Sequence, residues 1–79
     1  MIALKFYTTS HCHLCERAEA LLHRIAKEYD MQWNKLDIAN DESMIEQYGT
    51  IIPVIQRTDN NTEIKWPFTY DELLTFICS

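Results

Sequence analysis

Phe6-Tyr7-Thr8-Thr9-Ser10-His11-Cys12-His13-Leu14-Cys15 is the stretch on which the reading of the fold turns. It joins a β-prone run, Ile2 to Thr8, to an amphipathic segment that begins at Leu14. Aromatic and aliphatic residues followed by hydroxyl side chains read as a strand feeding a short loop that can cap a helix. From Leu14 the apolar residues Leu14, Ala18, Leu21, Leu22, Ile25, Ala26 and Tyr29 fall at offsets 0, 4, 7, 8, 11, 12 and 15. One apolar stripe at that spacing predicts a helix of about four turns with a solvated opposite face. That face carries Glu16, Arg17, Glu19, His23, Arg24, Lys27 and Glu28, with acids toward its start, as the helix dipole favours.

Working outward, Met31 to Ile38 reads as a second strand anchored by Trp33, Leu36 and Ile38. Asn40 or Asp41 is placed to cap a short helix through Tyr48, which Gly49 ends. Ile51 to Arg57, the polar turn Thr58-Asp59-Asn60-Asn61 and Thr62 to Trp66 read as an antiparallel hairpin. A closing helix follows, capped by Thr69, with Asp71 and Glu72 in its first turn and Leu73, Leu74, Phe76 and Ile77 as its apolar face. The order is β-α-β-α-β-β-α, an α/β pattern expected to form one domain over residues 1–79 with a four-stranded mixed sheet flanked by helices. With one glycine in the chain, a glycine-cradled phosphate site is excluded.

Seven Lys and Arg against twelve Asp and Glu give a net charge of -5, and the bases are scattered, so nothing supports binding to nucleic acid or an anionic membrane. No run approaches the ~20 apolar residues of a membrane span, and Met1-Ile2-Ala3-Leu4-Lys5 lacks the pattern of a secretory signal. A cytoplasmic monomer is the expectation. Three cysteines do not make the dense disulfide framework of small secreted domains, and in a reducing compartment a Cys-x-x-Cys pair reads as catalytic or metal-binding.

Thiol–disulfide exchange needs one thiolate to attack and a second thiol to resolve the mixed disulfide. Two intervening residues in a first helical turn bring Cys12 and Cys15 together for this task. A helix start offers unpaired N–H groups and the positive end of the dipole, both of which depress a thiol pKa below the usual ~8.5, so Cys12 is expected to be the nucleophile. Cys15, one turn deeper beside Leu14 and Ala18, is expected to be the resolving thiol. His11 and His13 flank Cys12 and, when protonated, favour its thiolate, an effect that fades above a pH of roughly 6.5.

Other readings of these residues stay open. His11, Cys12, His13 and Cys15 are all zinc-competent, although a closed zinc site draws on further ligands, for which only His23 and Cys78 remain. The same residues can also belong to a redox-silent module that holds a peptide or protein. Cys78 reads as a buried or frayed terminal thiol, Asp37 as a solvated or capping strand-end residue, and Trp66 as core between sheet and helix in preference to a binding platform.

The order of elements, the Cys12-His13-Leu14-Cys15 motif at the junction of strand and helix, Ile52-Pro53 at the hairpin start, and Trp66-Pro67-Phe68 together resemble the thioredoxin superfamily, and within it the glutaredoxin-like branch. The resemblance implies a thioredoxin fold and a thiol–disulfide oxidoreductase activity. It also implies that Pro53 is a cis-proline facing the cysteine pair, with Ile52 offering its backbone to substrate and His13 beside it. No cofactor is implied beyond an external thiol donor, and the partner is a disulfide-bearing protein or small thiol. Glutathione-dependent members carry a basic residue shortly before the first cysteine, a Thr two before the proline and a Gly-Gly-x-x-Asp segment. Here Thr9, Ile51 and Trp66-Pro67 or Pro67-Phe68 occupy those places, leaving Asp71 as the one remnant, so the resemblance leaves glutathione open as the donor.

Overall fold

A computed structural model describes residues 2–10 and 12–78. Its elements are β1 (Ile2–Thr8), α1 (His13–Ala26), β2 (Met31–Asp37), a 3-10 turn (Ile38–Asn40), α2 (Glu42–Tyr48), β3 (Val54–Arg57), β4 (Glu63–Lys65) and α3 (Tyr70–Cys78). The expected order of strands and helices is present, with strands arranged β2-β1-β3-β4. β1 runs parallel to β2, in a register from Ile2 opposite Met31 to Thr8 opposite Asp37. β3 is antiparallel to both β1 and β4, with Tyr7 opposite Val54 and Val54 opposite Lys65. The C-terminal ends of β1, β2 and β4 and the start of β3 therefore share one edge of the sheet.

Strand alternation assigns the two faces. Leu4, Phe6 and Ile55 point to the face covered by α1 and α3, where they bury with Cys15, Ala18, Leu22, Ile25, Leu73 and Ile77. On the other face Tyr7 and Val54 meet Ile38 and Tyr48. Covered by the seven-residue α2, that face is packed toward the edge that carries the β1–α1 loop, while Lys5 farther back on it is exposed.

Several boundaries depart from the sequence reading, each for a local reason. The buried row of α1 is Cys15, Ala18, Leu22 and Ile25, whereas Leu14 and Tyr29, read as part of the stripe, are 40% and 38% exposed. Leu14 lies in the first turn, and the helix stops at Ala26 because the N–H groups of Glu28 and Tyr29 both turn back to the Ile25 carbonyl. β2 ends at Asp37 and Ile38 leaves the strand, because the Asp37 carboxylate accepts from Ala39 N at 2.9 Å and bends the chain into the 3-10 turn. Asp41 caps α2 through bonds from Ser43 N and Met44 N. Ile51 and Ile52 have β-like side chains, yet their N–H groups donate to the Tyr48 carbonyl, so the hairpin strand starts at Val54.

Thr69 and Glu72 form a reciprocal capping box at the start of α3, Thr69 N donating to Glu72 Oε1 (2.9 Å) and Glu72 N to Thr69 Oγ1 (3.1 Å). The Ile52–Pro53 and Trp66–Pro67 peptide bonds are both cis. Cys78 is exposed at the end of α3, not buried. No helix among the described residues is long and apolar enough to cross a membrane.

Candidate active site

Four segments meet at the shared edge of the sheet: the β1–α1 loop, the end of β2, the turn before β3 and the segment after β4. Cys12 is the N-cap of α1, with extended backbone angles of -100° and 104°, and its carbonyl accepts the first helical bond from Glu16 N at 3.1 Å. N-cap positions usually hold an oxygen-bearing side chain that accepts from the helix start. Here the cap is sulfur, for Cys15 N donates to Cys12 Sγ at 3.1 Å. The two cysteines form a disulfide across a Cα–Cα distance of 5.2 Å. Cys15 is 4% exposed and part of the core, while Cys12 is half-buried. Of the pair, Cys12 is the sulfur an incoming molecule can reach.

A cavity of about 210 Å³ opens beside the disulfide, lined by Phe6, Thr8, Thr9, Ser10, Cys12, Cys15, Glu16, Glu19 and Lys35. A second hollow of about 240 Å³ along the β1–β2 edge is lined by Thr8, Thr9, Ser10, Lys35 and Asp37. Glu19 and Lys35 escaped the sequence reading, although the signal was present: Glu19 stands four residues after Cys15, on the same helix face one turn on. The Glu19 carboxylate accepts from Trp33 Nε1 (3.1 Å) and from Lys35 Nζ (3.2 Å). Burial pushes its pKa up, but the Trp33 and Lys35 hydrogen bonds, with the Lys35 and His23 charges, outweigh that and hold it below the ordinary carboxylate value. The cavity wall next to the disulfide thus carries a charged carboxylate already paired with an ammonium.

The other residues read from the sequence fall as follows. His13 opens α1 with its side chain 95% exposed and Nδ1 3.7 Å from Glu16 Oε2, so it lies on the surface, outside the cavity. Ile52 and Pro53 do not line the cavity. Ile52 packs against both hydrophobic clusters, and Pro53 is buried, its carbonyl accepting from Trp66 N at 3.1 Å. Since Tyr7 pairs with Val54, Pro53 stands beside the strand end from which the cysteine loop departs. Asp37 is spent as a cap. Trp66 is half-buried against the main core with its ring edge-on to Phe68 at 5.1 Å.

His11, named with His13 and the cysteines for a zinc site, lies outside the described residues. Among the described residues no group of three or more His, Cys, Asp or Glu side chains is gathered as metal ligands.

The profile of a family described as Glutaredoxin-like domain (DUF836) matches residues 3–78. Among solved structures, the target protein XcR50 of X. campestris is 27% identical, with 95% of each chain covered and a TM-score of 0.83. Protein Ne2328 of Nitrosomonas europaea is 22% identical over 96% of this chain and 91% of its own, with a TM-score of 0.81. A mutant thioredoxin from Halobacterium salinarum NRC-1 is 19% identical over 96% of this chain and 71% of its own, with a TM-score of 0.72. The latter two likenesses show the thioredoxin fold alone. No curated protein gave a sequence match.

Proposed function

We propose that this chain, which belongs to the glutaredoxin-like domain family, is a thiol–disulfide oxidoreductase that works through Cys12 and Cys15. The observation that carries this reading is the pair itself: two cysteines bridged at the N-terminus of α1, with the accessible sulfur at the cap and its partner in the core. In the reduced protein the cap position favours the Cys12 thiolate through the Cys15 N–H and the helix dipole. Cys12 Sγ attacks one sulfur of a partner disulfide; a Cys12–partner S–S bond forms, the partner S–S bond breaks, and the second partner sulfur leaves as thiolate, taking up a proton. Cys15, after losing its proton, attacks Cys12 Sγ; the mixed disulfide breaks, the remaining partner sulfur leaves as thiolate, and the Cys12–Cys15 disulfide forms. Two electrons pass from the protein to the partner, and an external thiol donor returns them.

Ile52, whose N–H is held by the Tyr48 carbonyl, offers its own backbone carbonyl to the partner, Pro53 shapes that side of the groove, and His13 contributes from the surface of the first turn. No cofactor takes part beyond the external thiol. The protein works as a monomer in the cytoplasm, a compartment that keeps the pair reduced between turnovers.

Two experiments test the reading. Equilibration in graded glutathione redox buffers, followed by thiol alkylation and intact mass, is expected to give reversible loss of two thiols. A Cys15→Ser protein is expected to hold a partner in a mixed disulfide on Cys12 that dithiothreitol releases. Thiols that stay free in strongly oxidising buffer, together with no trapped adduct, would leave only a redox-silent binding domain.

A further inference from the structure

One side of α1 carries two cations that the chemistry of the cysteine pair does not use. Arg17 and Arg24 are both exposed and stand seven residues apart, hence on one helix face about 10 Å from each other along the axis. Each guanidinium lies over an aromatic ring: Arg17 over Trp66 at 5.6 Å from the centroid, Arg24 over Tyr70 at 4.6 Å. The two rings bracket the connection from β4 to α3, so the stripe follows that connection away from the site.

Neither arginine enters an ion pair; among the described residues those that form are His13–Glu16, Lys35–Glu19 and Arg57–Asp59. Of the carboxylates in the same segments, Glu16 lies 3.7 Å from His13 and Glu72 caps Thr69. Glu28, one turn beyond Arg24, and Asp71, next to Tyr70, are in none of the ion pairs among the described residues. A guanidinium held over a ring by cation–π attraction keeps its charge and its N–H donors, the groups that receive a carboxylate. In a chain of net charge -5 these are two neighbouring cations that, among the described residues, enter no ion pair.

We infer that Arg17 and Arg24 are a docking rail for an acidic stretch of the protein whose disulfide Cys12 attacks. The inference rests on the oxidoreductase reading and names its class of partner. Length selects a polypeptide over a small anionic thiol. Along the helix axis Arg17 lies about 7 Å and Arg24 about 18 Å beyond Cys12, and both stand more than about 100° around the helix from it. An extended chain needs at least about two and five residues for the axial distances and more to pass around the helix, so a tripeptide anchored at Cys12 does not reach Arg24. The partner carries carboxylates at or beyond those separations from its reacting cysteine. At physiological salt the screening length is about 8 Å, so local cations outweigh the remote acidic surface.

The test compares two synthetic peptides with the same intramolecular disulfide, one with Asp at every position from about two to eight residues from a cysteine and one with Asn there. Hydroxyethyl disulfide serves as a neutral small substrate. The reduced wild-type protein is expected to react with the Asp peptide about tenfold faster than with the Asn peptide at low salt, the low end of electrostatic steering, and to lose most of that preference in 0.5 M salt. R17Q/R24Q is expected to abolish the preference while hydroxyethyl disulfide reacts within about twofold of wild type. R17K/R24K, which keeps the charges, retains a preference and separates docking from a merely structural role of the cation–ring contacts. Should R17Q/R24Q lose its native circular dichroism, the singles R17Q and R24Q decide the matter, each expected to lower the preference. Equal preference in wild type and charge-removed protein, or none in wild type, overturns the docking rail. If wild type fails to reduce hydroxyethyl disulfide, the oxidoreductase reading fails on its own account, and the affinities of wild type and R17Q/R24Q for the Asp peptide, by calorimetry, still decide the docking.

Discussion

The two faces of the sheet are built on different principles. Under α1 and α3, Phe6, Leu22, Ile25, Ile55, Leu73 and Ile77 are at most 1% exposed and bring no polar side-chain atom into the core. Under α2 the packing rests on Tyr7 and Tyr48, stacked at 4.4 Å with ring planes 13° apart, whose hydroxyls must be satisfied as the rings are buried. They are satisfied: Tyr7 donates to Gln56 Oε1 at 3.0 Å, and Tyr48 donates to Glu63 Oε2 at 2.7 Å while accepting from Gln47. The first face gains stability from apolar area, the second from a few directed bonds, one joining β1 to β3 and one tying α2 to β4. Cys15 belongs to the first face.

The comparison can be broken most forcefully at Leu22. Leu22→Ala removes a side chain with no exposure from the centre of the apolar face and is expected to cost about 2–5 kcal/mol in urea unfolding. A loss under about 1 kcal/mol would show that the face is loosely packed. On the other face Tyr48→Phe keeps the stacked ring but removes the bond to Glu63, for an expected loss of about 1–2 kcal/mol.

The same substitution carries a pH signature. Burial, then the hydrogen bond and charge of Glu63, raise the Tyr48 pKa well above its ordinary value of 10.0. The folded state therefore holds this proton more tightly than the unfolded state. The associated stability is fully present below pH 10 and declines as pH rises beyond it. In wild type the urea midpoint is expected to fall above pH 10, and Tyr48→Phe should flatten that part of the profile.

Glu19 gives a smaller effect of opposite sense. Its folded pKa is lowered, so its contribution is present above the unfolded carboxylate value of 4.5 and disappears as pH falls through the folded value. Glu19→Gln is expected to change stability little at neutral pH relative to the core variant and to reduce the acid dependence below pH 4.5. An unchanged acid limb would mean that the Trp33 and Lys35 bonds do not persist in solution. The smallest effect belongs to the outer surface of α2, where Ile45 is 45% exposed and Ile45→Lys should stay within about 0.5 kcal/mol of wild type.

What could be read from the residues follows the same division. The apolar face announces itself by period: Ala18, Leu22 and Ile25 on α1 and Leu73 and Ile77 on α3 lie at helical spacing, and Leu4 and Phe6 on β1 at strand spacing. The family resemblance added what the CxxC spacing alone left open, the place of the motif in a thioredoxin fold. Less legible were the polar bonds that end elements. Ile38, Ile51 and Ile52 look like strand residues because hydrophobicity does not reveal that Asp37 caps a turn or that the Tyr48 carbonyl takes two N–H groups. Nor did the stripe reveal that Cys15, in place of Leu14, begins the buried row, since either assignment fits a period of 3.6. Glu19 and Lys35 meet only because parallel pairing of β2 with β1 brings residue 35 beside helix α1, a relation that no local pattern contains.

Cys15 is at once a redox atom and a core residue, packed in the row of Ala18, Leu22 and Ile25. Folding and reduction are then two sides of one thermodynamic square: the free energy of unfolding in the oxidised and reduced states and the potentials of the folded and unfolded pair must sum to zero around it. Any substitution in that row that weakens one redox state more than the other moves the potential of the pair, by about 30 mV for each 1.4 kcal/mol of difference. The hydrophobic core of this domain is in that sense part of the electrode, and residues far from either sulfur help to set the potential at which the disulfide opens.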